Sequence, residues 1–171
     1  MQLTHYNSKF DKRLFPITLL CDHVTNAPNV GSLFRIADAF GVEKIIFCGK
    51  HVPVTGRRMT KTSRATEKTV DYELVENSTQ KIDKLQEAGY TIIALEITNT
   101  SKSIHTMDFS AYKKLVLVVG AEDIGVNHDI LEKADLSIHI DMFGKNSSMN
   151  VVQATNIVLY EITKQWTSGN V

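Results

Sequence analysis

The chain has 171 residues, the size of one domain and long enough to enclose a sizeable core. Hydrophobic residues at 43% and charged residues at 22% exclude a disordered chain. Nineteen basic and nineteen acidic side chains leave no formal net charge, which speaks mildly against nucleic acid as a partner. The average hides an asymmetry: Lys50, Arg57, Arg58, Lys61, Arg64 and Lys68 face only Glu67 within their segment, a local charge of +5. Such a segment grips a phosphate backbone through its local field, and a solvated loop is the plainer alternative. The longest apolar runs, such as Leu115 to Val119, are strand-sized and cannot span a bilayer. No secretory signal is visible, and Cys21 and Cys48 lack metal-ligand spacing, so a reduced, cytoplasmic setting is expected.

In chain order, Ile17 to Cys21 reads as a buried strand, followed by a turn at Thr25 to Asn29. A helix is predicted from about Val30 to Phe40, stopped by Gly41. Ile45 to Cys48 forms the second strand. A long polar and basic connection follows, through Pro53 and Gly56 to about Ala65, and connections of that kind are usually functional or mobile. Val70 to Val75 suits a short strand, Thr79 to Ala88 a helix, and Tyr90 to Leu95 another buried strand. Leu115 to Val119 is the clearest strand, and Leu136 to Ile140 follows a short helix. The last helix spans about Asn150 to Trp166, with Val151, Ala154, Val158, Ile162 and Trp166 at helical spacing. Apolar strands separated by helices indicate an α/β fold, a parallel sheet covered by helices on both faces, and residues 1–171 read as a single domain.

Ligands of parallel sheets gather at the carboxyl ends of strands. There the clearest strand leads into Gly120-Ala121-Glu122-Asp123-Ile124-Gly125-Val126-Asn127. Its glycines are spaced like the start of a P-loop, but Val126 and Asn127 stand where Lys and Ser or Thr are needed. Glu122 and Asp123 would also place two carboxylates in an anion cradle. The turn suits a ligand without phosphates, one carrying positive charge, or else it is an ordinary strand-to-helix turn.

Three stretches then fit together. Pro28-Asn29-Val30-Gly31-Ser32-Leu33-Phe34-Arg35, running on to Phe40-Gly41-Val42, resembles motif 1 of the SpoU/TrmH class of RNA 2′-O-ribose methyltransferases, within the SPOUT superfamily. Leu115 to Gly125 resembles motif 2. Ile140 to Gly144 with Ser147 to Val151, followed by Leu159-Tyr160-Glu161, resembles motif 3. The resemblance spans roughly Ile17 to Ile162 and implies the α/β-knot, whose C-terminal part threads a deep trefoil. Pattern reading alone would not propose a knot, since knots are nearly absent from proteins.

The resemblance also implies S-adenosylmethionine as cofactor, with no metal. By position its shell includes Leu95, Glu96, Gly120, Ile140, Met142 and Met149. A sulfonium ligand without phosphate tolerates nearby carboxylates. The reaction passes a methyl group to a ribose 2′-hydroxyl, a poor nucleophile until its proton is lost or polarised, so positioning contributes most of the rate. Resemblance assigns Asn29, Arg35, Glu122, Ser148 and Asn150 to catalysis. A guanidinium hardly ever deprotonates, so Arg35 is read as binding a target phosphate and stabilising the developing alkoxide rather than as a base. Asn29, Ser148 and Asn150 also suit helix caps, and Glu122 also suits a surface acid.

The basic loop supplies the candidate RNA contacts Arg57, Arg58, Lys61, Ser63 and Arg64. The histidines form no convincing ligand cluster and are left as structural or surface residues. Asp141 departs from the family pattern, which usually has proline there, and Val152-Gln153 replace a smaller pair. The family's homodimer is implied as well, each site drawing on both chains, and tRNA is slightly favoured over rRNA. Two alternatives stand beside an active ribose methyltransferase: a base-methylating SPOUT enzyme and a non-catalytic RNA-binding relative.

Overall fold

A computed structural model describes residues 10–146 and 148–168. Seven strands form one sheet: β1 (Phe15–Asp22), β2 (Val42–Cys48), β3 (Tyr72–Val75), β4 (Thr91–Leu95), β5 (Lys102–Ser103), β6 (Leu115–Gly120) and β7 (Leu136–His139). Their order is β3-β2-β1-β6-β4-β7-β5, and every pair is parallel. The helices are α1 (Ala27–Ala39), α2 (Arg57–Ser63), α3 (Ser78–Glu87), α4 (His128–Lys133) and α5 (Val151–Ser168).

Strands β1, β2, β4 and β6 are largely apolar because helices cover both faces. Side chains alternate between two cores, as the pleat requires. Ile17, Leu19, Phe47, Leu117 and Val119 pack with Val30, Leu33 and Phe34 of α1 and with Val158, Leu159 and Ile162 of α5. Leu20, Ile46, Ile92, Val116 and Val118 pack on the other face with Ile82 of α3 and Ile130 of α4. The expected two-faced α/β sheet is therefore present, with element ends shifted by a few residues. The short strand β5 was not expected from the sequence.

The basic connection also departs from expectation, because part of it is helical. α2 buries Met59 and Ser63, and it lies so close to α1 that a Cβ on Gly31 would stand 2.2 Å from the Met59 carbonyl oxygen and 2.1 Å from Thr62 Oγ1. α2 ends on Arg64 and Ala65, both left-handed at φ 55° and 72°. Each costs about 1–2 kcal/mol for a residue with a side chain. The bend is held from below by the Ser63 hydroxyl, which donates to the Glu67 carboxylate at 2.5 Å and holds that carboxyl below its ordinary range.

Two thiols lie in the same sheet. Cys21 and Cys48 are both free and buried, on the neighbouring strands β1 and β2. Burial pushes both up, Cys48 to about 12.

Candidate active site

An open cavity of about 230 Å³ sits at the carboxyl ends of β4, β6 and β7, the place where parallel sheets collect ligands. Leu95 and Glu96 leave β4 into its wall, Gly120 and Glu122 leave β6, and Ile140 follows β7. Ser148 and Met149 close it from the approach to α5, whose Val151 and Ala154 form the floor. Five of the six expected cofactor positions thus share one cavity. Met142 does not line it.

The turn after β6 is shaped by Glu96. One carboxylate oxygen accepts the Val126 N–H at 2.9 Å and the other accepts the Ile97 N–H at 3.0 Å. Gly125 meets that carboxylate at φ 70°, and a Cβ there would stand 2.3 Å from Glu96 Oε2. Glycine is therefore required at 125 both for its backbone angle and for space. Glu96 does more than border the cavity: it sets the shape of the opposite wall.

Three of the expected catalytic residues form a chain of hydrogen bonds across the three motifs. Asn150 Oδ1 accepts the Val152 N–H at 2.9 Å, so Asn150 does cap α5. Its amide nitrogen donates to Asn29 Oδ1 at 3.3 Å. The Asn29 amide nitrogen in turn donates to Glu122 Oε1. A carboxylate only accepts, and a backbone N–H only donates, so both amide orientations follow from the ends of the chain. The cap of α1 is Asn26, whose side chain accepts the Asn29 N–H at 3.2 Å. The Asn29 side chain is not needed there and faces the site.

The remaining expected residues fall elsewhere. Arg35 is exposed on α1, outside the cavity lining, and its side chain makes no hydrogen bond or ion pair among the described residues. Arg57, Arg58, Lys61 and Arg64 are exposed on and beside α2. Ser63 is a correction: it is fully buried with its hydroxyl spent on Glu67, so it cannot meet a phosphate. Ser147, quoted in the third stretch, lies outside the described residues.

His139 was missed. It lines the cavity, and its Nδ1 meets Ser101 Oγ at 2.9 Å while its Nε2 lies 3.4 Å from Asp141. Its place at the end of a buried strand was the available signal. Among the described residues one group, His128, Asp129 and Glu132, brings donor atoms within cation reach, all three exposed on α4. No helix among the described residues is long and apolar enough to cross a membrane.

Among the described residues, the cavity wall contains no lysine or arginine and does contain two carboxylates, Glu96 and Glu122. Apolar side chains from β4, β6 and α5 supply most of its surface. A flat heterocycle with a positively charged centre and no phosphate fits that donor set.

The SpoU rRNA methylase family model matches residues 16–160. The chain belongs to this family. A tRNA (guanosine(18)-2′-O)-methyltransferase of Aquifex aeolicus is 32% identical over 167 residues, 96% of this chain and 76% of the relative. The chain spans only 58 to 62% of other curated relatives it matches. Among solved structures, the A. aeolicus TrmH/SpoU tRNA modifying enzyme aligns with a TM-score of 0.83 at 31% identity, over 93% of this chain and 79% of that one. An AdoMet-bound rRNA methyltransferase from Sinorhizobium meliloti shares the fold, with a TM-score of 0.80 at 22% identity, over 91% of this chain and 58% of that one.

Proposed function

We propose that this SpoU family member is an S-adenosylmethionine-dependent RNA methyltransferase that modifies a ribose 2′-hydroxyl. The observation that carries this reading is the Glu122–Asn29–Asn150 hydrogen-bond chain at the edge of a cavity lined by acids and apolar side chains. The chain ties the turn after β6, the first turn of α1 and the cap of α5 to one another, so the three motifs hold one geometry.

S-adenosylmethionine would rest against Leu95, Ile140 and Met149, with Glu96 and Glu122 offsetting its positive charge, and it supplies an electrophilic methyl group. Its transfer to the ribose oxygen would leave S-adenosylhomocysteine and the 2′-O-methylated nucleotide, with the hydroxyl proton passing to water. Asn29 and Glu122 orient the approach, and Ser148 offers a hydroxyl at the cavity wall. Arg35 binds a phosphate of the target and stabilises negative charge on the attacking oxygen. In-line attack demands fixed positions more than strong acid–base groups, and the site offers hydrogen-bonded amides rather than a tuned base.

Arg35 lies outside the cavity of its own chain, which accords with a homodimer whose sites draw on both copies. Ile157 and Tyr160 of α5, 39% and 58% exposed, offer it an apolar surface. The knot of the family, threading the chain around the motif 3 segment, belongs to the same reading. So does a cytoplasmic setting, with which two unpaired thiols agree. The RNA is a tRNA or an rRNA, with tRNA favoured by the A. aeolicus relative.

The decisive experiment incubates the full chain with total tRNA or rRNA and labelled S-adenosylmethionine, then digests to nucleosides for mass spectrometry. A ribose-methylated nucleoside is the expected product. A methylated base, or no transfer, would reject this reading in favour of the two alternatives.

A further inference from the structure

We propose that Asp141 is a positioning residue for the methyl donor, latching the segment that closes one side of the donor cavity to Ser103 and to His139. This rests on the donor reading above. Residues 140–149 carry three cavity-lining side chains, Ile140 at the start and Ser148 and Met149 at the end. Between them Phe143 to Asn146 is exposed, and Gly144 has open space around it. From Met142 to Met149 the described residues make no hydrogen bond. Asp141 supplies the polar tie of this stretch beside β7.

The Asp141 carboxylate has three direct polar contacts. Its Oδ2 accepts a hydrogen bond from Ser103 Oγ on β5, and His105 Nε2 lies 3.8 Å from the same oxygen. Oδ1 lies 3.4 Å from His139 Nε2. The Ser103 hydroxyl, then the two imidazoles, hold this carboxyl below its ordinary range. The fourth link is indirect. His139 Nδ1 meets Ser101 Oγ at 2.9 Å, and that hydroxyl already donates to the Thr98 carbonyl at 2.9 Å. His139 therefore spans Ser101 and Asp141 through its two ring nitrogens.

The donor cavity is thus coupled to the latch through His139, which faces both. The other charged groups nearby are Glu161 of α5, which His105 also approaches, and Lys164, which binds Glu161 at 3.0 Å. Ordering the segment before the donor arrives removes an entropic cost from binding. Proline would fix the same position through its ring, whereas here a carboxylate does so through partners.

The test measures S-adenosylhomocysteine binding to the full chain by calorimetry. Asp141→Ala is expected to weaken binding about tenfold and Ser103→Ala several-fold, with thermal unfolding recorded for each. Asp141→Asn keeps an acceptor for Ser103 but loses the charge. Its deficit relative to the natural protein should therefore be smaller than that of Asp141→Ala. Equal affinity in Asp141→Ala and the natural protein, or no recovery in Asp141→Asn over Asp141→Ala, would overturn the latch. If the natural protein itself fails to bind the ligand, the donor reading falls, and the latch with it.

Discussion

Asn29 has two possible employments in the first turn of a helix, and the structure separates them. Asn26 satisfies the exposed N–H of residue 29, so the amide of Asn29 is left to bridge Glu122 and Asn150. On the proposed reading such a bridge would serve catalysis by holding its neighbours still rather than by bonding the cofactor, since Asn29 does not line the cavity. Asn29→Ala should therefore lower single-turnover methylation by about a hundredfold, the size of losing one oriented donor in an active site. Binding of S-adenosylhomocysteine should stay within about twofold, because the cavity walls are untouched. Loss of ligand affinity on the same scale as activity would instead place Asn29 in the cofactor shell.

Among elements, the contact between α1 and α2 leaves no space for a side chain at residue 31. The side chain missing at Gly31 is the space occupied by the Met59 carbonyl and the Thr62 hydroxyl. Alanine favours helix by about 1 kcal/mol over glycine, yet here its methyl would meet backbone that cannot rotate away. Gly31→Ala should cost about 1–3 kcal/mol net through overpacking, read as a lower urea midpoint at unchanged slope. Displacement of α2 would also move the arginines at 57 and 58, so RNA affinity should fall in the same variant.

The same pair of helices shows what could be read in advance. β1, β4 and β6 are legible as runs of apolar residues, because a strand buried on both faces has no polar side to confuse the pattern. α2 is seven residues with Met59 as its only buried apolar side chain, and β5 is two residues, so neither leaves a period to detect. In the site, glycines and acids after β6 were visible as a turn unsuited to phosphate. His139 was not, because a single histidine at a strand end looks the same whether it faces ligand or solvent. Ser63 was placed on the surface by the charges around it, whereas the fold turns its hydroxyl inward to Glu67.

For the whole molecule, a net charge of zero conceals a polarised surface. The exposed Arg57, Arg58, Lys61 and Arg64 cluster on and beside one short helix. If they contact phosphates, each alanine substitution should reduce the slope of log affinity against log salt by about 0.7–0.9 and weaken binding to all RNA sequences alike. A variant that changes sequence preference without changing the slope would mean that its side chain reads bases instead.

The thiols of Cys21 and Cys48 have a practical corollary. Only the thiolate reacts readily with alkylating agents and disulfides, and these two are both sealed in the sheet and driven far from ionisation at neutral pH. They lie on β1 and β2, whose parallel register runs through the centre of the molecule. Their modification therefore waits for those strands to part, which makes the unmodified protein its own stopwatch for whole-domain opening.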